Sequence, residues 1–139
     1  MTKTHHKPVP ALVRFGPQLA LPLWAELHPV KAKALANRIE PGWQRRSACR
    51  DAPDPDAWFP PEEARRTQLV APLTTCSSCP VRRSCLAAGM RAGEAGIWGG
   101  TTEPERDAAR AVLNAGGRTD DVLDRLLALP VTRGSRGAA

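Results

Sequence analysis

An all-α fold is what this sequence predicts, on three observations. Helix punctuation recurs along the chain: Pro60-Pro61-Glu62-Glu63, Cys79-Pro80 and Thr102-x-x-Glu105 read as helix starts, and Gly93 and Gly116-Gly117 as stops. No stretch shows a period-2 alternation long enough for a useful strand. Large apolar groups are scarce, with aromatics at 4% and no Tyr among 139 residues, so burial alone is a weak driving force. Small domains in that position add disulfides or a metal centre, and four cysteines are present.

Taken in order, residues 1–38 read as an arm, broken by Pro8, Pro10, Pro17, Pro22 and Pro29. A short helix fits from Val30 to Arg38. Trp43 to Ala48 can form one helical turn or two, delivering Cys49. DAPDPDAWFPPEE, residues 51–63, is an irregular loop ending in a Pro-Pro-Glu-Glu start. The helix it opens is predicted to run to Val70 and stop before Pro72. Cys76 and Cys79 then come from a turn. A helix capped at Cys79, with Pro80 at its first position, carries Val81, Cys85, Leu86 and Met90 to Gly93. Gly96-Ile97-Trp98-Gly99-Gly100 is a tight turn with unusual backbone angles. Thr102 and Glu105 form a capping box for a helix over 103–114. A last helix begins near Asp120, presents Val122, Leu123, Leu126 and Leu127, and stops at Pro130.

The cysteines fall at 49, 76, 79 and 85. Cys76-x2-Cys79-x5-Cys85 plus one distant thiol is the right number of sulfurs for one metal centre. A single Cys-x2-Cys knuckle fits poorly to a two-knuckle zinc ribbon or finger. Uneven spacing with one remote ligand suits an iron–sulfur cluster. On spacing alone, zinc and cluster both stay open, with disulfides a third reading. The histidines, His5, His6 and His28, lie away from the cysteines in sequence. Arg82 and Arg83, with a helix N-terminus beside them, favour anionic sulfur.

The net charge of +6 is unevenly placed. Residues 1–48 carry eight Lys/Arg against Glu26 and Glu40, whereas 49–98 and 99–139 each balance six against six. A basic arm suits a polyanion such as nucleic acid, and a solvated extension is its plainer reading. MTKTHHKPVPALVRF lacks the sustained apolar stretch of a secretory signal, and apolar runs are too short to span a bilayer. The expectation is a cytoplasmic chain with reduced thiols.

One set of residues carries a family resemblance. Trp43, Cys49, Asp51, Trp58-Phe59-Pro60, Cys76-x2-Cys79-Pro80-Val81-x3-Cys85, Gly96-Ile97-Trp98-Gly99-Gly100-Thr101 and Glu105-Arg106 follow one another as in the WhiB-like proteins of actinobacteria and their phages. The likeness spans residues 40–113. It implies a helical domain around a [4Fe-4S] cluster ligated by Cys49, Cys76, Cys79 and Cys85, sensitive to nitric oxide and oxygen. It implies a transcriptional regulator, not an enzyme, that binds region 4 of the RNA polymerase primary sigma factor. The domain division it suggests is an arm over 1–38, the iron–sulfur domain over 39–117, and a C-terminal helix with a short basic tail over 118–139. No membrane and no small-molecule substrate are implied.

The resemblance also assigns surfaces. Trp43, Trp58, Phe59, Trp98 and Gly99 are the residues expected to face sigma. The family's aromatic pair is Phe-Phe, and here the first is Trp58. The plainer reading makes the same aromatics ordinary core. For DNA, the family's basic stretch follows the glycine turn, but here six acids dilute the six Arg of 99–139. Arg133 and Arg136, in Arg-Gly-Ser-Arg-Gly, loosely resemble a minor-groove hook that lacks an unbroken Arg-Gly-Arg core. Lys3, Lys7, Arg14, Lys31, Lys33 and Arg38 are a second candidate for phosphate contact. Two other functions remain: a zinc-stabilised interaction module, and a thiol–disulfide oxidoreductase using Cys76 and Cys79, which lacks the βαβ context of such enzymes.

Overall fold

A computed structural model describes residues 13–15, 19–21 and 26–131. Five helices build it: α1 (Pro29–Ala36), α2 (Val70–Ser77), α3 (Arg82–Ala92), α4 (Glu103–Asn114) and α5 (Thr119–Leu127). Short 3-10 turns at Trp43–Arg46, Pro55–Trp58 and Arg66–Gln68 fill the long connection between α1 and α2. The helical class holds, with one addition. Strands β1 (Val13–Phe15) and β2 (Leu19–Leu21) pair antiparallel, Val13 opposite Leu21. Three-residue strands are too short for a pattern of alternation to register.

Several helix limits follow their sequence signals. His28 caps α1 by accepting from the Val30 N–H, with Pro29 at the first position. Gly93 ends α3 in the left-handed region at φ 64°. At α4 the Glu105 carboxylate accepts from the Thr102 N–H at 2.8 Å, as the capping box requires.

One helix lies elsewhere than predicted. Residues 60–65 form no helix, and α2 runs through Pro72 instead of stopping before it. Pro72 is the third residue of α2, where a missing N–H costs nothing because first-turn donors have no helical partner. Cys76 therefore sits in the last turn of α2, not in a loop. Likewise α3 begins at Arg82, so Cys79 and Pro80 belong to the turn between the helices.

The main core joins α1, α3, α4 and α5. Leu35, Leu86, Met90, Leu113 and Leu123 are wholly buried at its centre. It draws on residues from both sides of the boundaries expected at 38 and 118. Arg38 and Arg83 converge on Asp120, at 2.8 and 3.0 Å, tying the segment just after α1 and the start of α3 to α5. A smaller apolar group holds Leu69, Leu73, Cys76 and Ile97, with Trp58 packed against it. Three of these residues, Cys76, Ile97 and Trp58, also line the cavity at the cysteines. Among the described residues no helix is long and apolar enough to cross a membrane.

Candidate metal centre

Residues distant in sequence meet at one cavity. Cys49 arrives on the segment after the Trp43–Arg46 turn, Cys76 on the end of α2, Cys79 on the α2–α3 turn, and Cys85 from the first turn of α3. All four line the same partly open cavity of about 320 Å³, its mouth included. No cysteine is in a disulfide. Among the described residues, no three Cys, His, Asp or Glu side chains converge closely enough to hold a single metal ion. A tetrahedral zinc with Zn–S bonds of ~2.3 Å draws its sulfurs to within ~3.8 Å of one another.

Donors are aimed at the sulfurs. The Gly99 N–H donates to Cys85 Sγ at 3.3 Å, and the Ala48 N–H to Cys79 Sγ at 3.5 Å. The Gly100 N–H and the Trp58 indole both act on Cys76 in the direction that favours its thiolate. Trp58 also lines the cavity, and its Nε1 is buried with no acceptor in hydrogen-bonding position. We read these together as an indole beside Cys76 but short of a full bond to it. Burial dominates both inner thiols all the same: it pushes Cys85 up to about 12 and raises Cys76. Burial thus disfavours the bare thiolate at both positions. Metal loading must therefore release protons.

Arginines hold the glycine turn in place. Arg106, 2% exposed, donates to Thr101 O (2.7 Å), Thr101 Oγ1 (3.0 Å), Glu94 O (2.8 Å) and Gly96 O (2.6 Å). Arg82 Nε donates to Gly99 O at 2.9 Å, and Arg66 Nη2 to Gly100 O at 3.0 Å. With its carbonyls turned toward these cations, the turn presents the Gly99 and Gly100 N–H groups to the sulfurs. Gly99 makes that possible. Its φ is +57°, and a Cβ there would lie 2.5 Å from Leu86 Cβ.

The aromatics expected to face sigma divide. Phe59 is 64% exposed, whereas Trp43 is 8% exposed and packs edge-on against Trp98, centroids 6.2 Å apart. Trp98 is half-buried, its Nε1 donating to Ala95 O at 2.9 Å. It lies on the α3 backbone at Gly89, where a Cβ would come within 2.7 Å of it. Arg82 flanks the cavity as expected, but Arg83 turns away to Asp120 and Asp124. Charge near the cysteines in sequence did not predict that direction. Arg38, a candidate for phosphate contact, is engaged by Asp120, and Lys31 Nζ donates to Gly117 O at 2.7 Å. Arg133, Arg136, Lys3 and Lys7, and the Arg14 side chain, lie outside the described residues. Sequence reasoning missed Arg66 entirely, because nothing local marks an Arg that reaches 34 residues along the chain.

Residues 43–109 match the family model described as Transcription factor WhiB. Transcriptional regulator WhiB1 of Mycobacterium tuberculosis is 34% identical over 71 residues, covering 49% of this chain and 83% of that protein. The chain belongs to the WhiB family. Transcriptional regulator WhiD of Streptomyces coelicolor is 36% identical over 91 residues, 54% of this chain and 80% of its own length. Redox-responsive transcriptional regulator WhiB3 of Mycolicibacterium smegmatis is 37% identical over 70 residues, 47% and 72% respectively. WhiB-family relatives are named as regulators of transcription, not as enzymes. No solved structure matches this chain.

Proposed function

We propose that this WhiB-family chain is a cytoplasmic transcriptional regulator whose Cys49, Cys76, Cys79 and Cys85 hold one [4Fe-4S] cluster. The observation that carries the reading is a cavity lined by all four thiols, with N–H donors directed at three of them. The donor set fits the group. Four soft sulfurs suit iron, backbone N–H groups favour thiolate charge, and Arg82 lies close enough to act electrostatically on Cys76 and Cys79. One Cys-x2-Cys knuckle with a remote fourth cysteine suits a cluster better than a two-knuckle zinc site.

When bound, such a cluster supplies a one-electron couple and a target for oxygen and nitric oxide. The chain's residues do the rest. Ile97 and Trp58 line one side and shield it from water. The glycine turn binds the α3 side through Cys85 and sets Trp98, half-buried, against Trp43 and the α3 backbone at Gly89. Phe59 and Trp98 then offer an apolar face beside the site for sigma region 4, with Trp43 backing Trp98 and Gly99 keeping the turn closed against α3. Contact with DNA is proposed for the terminal arginines Arg133 and Arg136. The segments 1–38, 39–117 and 118–139 are proposed as stretches of sequence with different roles, not as separately folded units, since α1 and α5 share one core with α3 and α4.

Anaerobic co-purification with the sigma C-terminal domain tests the reading. Wild-type protein is expected to co-purify brown, with iron and sulfide bound. Trp98→Ala is expected to lose sigma and keep its visible spectrum. Loss of both would make Trp98 a core residue. A colourless protein carrying one zinc would favour the interaction-module reading.

A further inference from the structure

Trp58 Nε1 is one of two buried side-chain polar atoms without a partner among the described residues, the other being Arg110 Nε. Leaving such a donor unmet costs about 1–3 kcal/mol. Yet the residue is firmly set. Its carbonyl accepts from the Ile97 N–H at 2.7 Å, which pins the 3-10 turn of Pro55–Trp58 to the glycine turn. Its ring packs into the apolar group that contains Cys76, and it lines the cysteine cavity. Phe59, its neighbour, points to solvent. The indole N–H is thus delivered to the edge of the site, with an acceptor still to come.

We propose that Trp58 is a positioning and tuning residue, its indole N–H donating to the Cys76 sulfur once the metal centre is in place. This rests on the reading that the four cysteines hold an iron–sulfur cluster. Loading turns a neutral, weakly accepting thiol into a metal-bound thiolate, a far better acceptor for a charge-assisted bond. Among the contacts described here, every other donor to these sulfurs is a backbone N–H, so Trp58 is the one a substitution can remove. Reduction of a [4Fe-4S]2+ core by one electron adds negative charge to its sulfurs. A donor stabilises the reduced form more than the oxidised one and raises the potential.

The test compares wild type with Trp58→Phe, which keeps the ring and deletes the N–H. Both are assembled and purified without oxygen. Iron and sulfide content is expected to match. In a dithionite titration the variant should show an about tenfold lower ratio of reduced to oxidised cluster at a given potential, a fall of about 59 mV. Equal midpoints would overturn the assignment. Wild-type protein gives a second readout that does not depend on the variant folding. The ultraviolet resonance Raman band that reports indole N–H bonding should shift between loaded and iron-stripped protein, and an unchanged band overturns the proposal. Failure of wild type to bind iron at all is a separate result. It removes the cluster reading itself, and this inference with it.

Discussion

Arg106 shows how one side chain can organise a site it does not touch. Four acceptors converge on its guanidinium, and it is almost wholly buried. Arg106→Met is expected to cost about 3–5 kcal/mol, because buried carbonyls lose a charged donor. Arg106→Lys should not rescue it, since a point charge cannot replace a planar fork. Urea denaturation of the three proteins checks both; a Lys variant as stable as wild type would count against the reading. Gly99→Ala has a different expected signature. A Cβ 2.5 Å from Leu86 Cβ at φ +57° must displace the turn and its N–H from Cys85. Iron retention during chelator challenge should fall sharply. Retention equal to wild type would show that the turn does not hold the cysteine.

At the scale of elements, α1, α3 and α5 share a core, and α3, α5 and the segment just after α1 share a charge centre. Leu35 of α1 is fully buried with Leu86 and Leu123, so Leu35→Ala should cost about 2–5 kcal/mol in denaturant. A loss below about 1 kcal/mol would mean that α1 is a dispensable extension. Asp120 of α5 holds α3 and the segment just after α1 by charge. Hydrogen bonds from Arg38, then Arg83, keep its carboxyl well below the usual carboxylate range. A depressed carboxylate contributes stability that is fully present above its unfolded pKa near 3.9, and loses it as pH falls through the folded value. Wild type should therefore weaken more than Asp120→Asn as pH falls below about 4. The group is solvent-exposed, so salt should shrink the difference. Parallel acid titrations of the two would contradict this.

Punctuation was legible where it is local. The capping box at Thr102 and the Gly93 stop were both readable from a few residues. Pro72 misled because one residue cannot say whether it starts or ends a helix; Leu69 and Leu73, buried in one group with Cys76, decide for α2. The β1–β2 ribbon left no trace because each strand is three residues long. The cysteine set was legible as a set, and its convergence on one cavity is what folding adds. The arginine braces were not legible, because each depends on long-range approach.

At the scale of the whole molecule, apolar packing among the described residues falls into two unequal groups, a leucine core and a smaller group that includes Cys76. The first can persist without metal. The second rests on Leu69, Leu73, Cys76 and Ile97, little to hold buried thiols and an unpartnered indole in place. Removing the metal is expected to loosen Cys49, the α2–α3 turn and the glycine turn before the leucine core. Far-UV circular dichroism should fall on chelation, and hydrogen exchange should quicken first at those segments. The most direct measurement is the iron and acid-labile sulfide content of wild-type protein purified without oxygen, read beside its visible spectrum. A [4Fe-4S] centre on the four cysteines would give a brown protein with about four iron and four sulfide per chain. A folded, colourless protein with one zinc, or with no metal and unchanged helicity, would contradict that assignment.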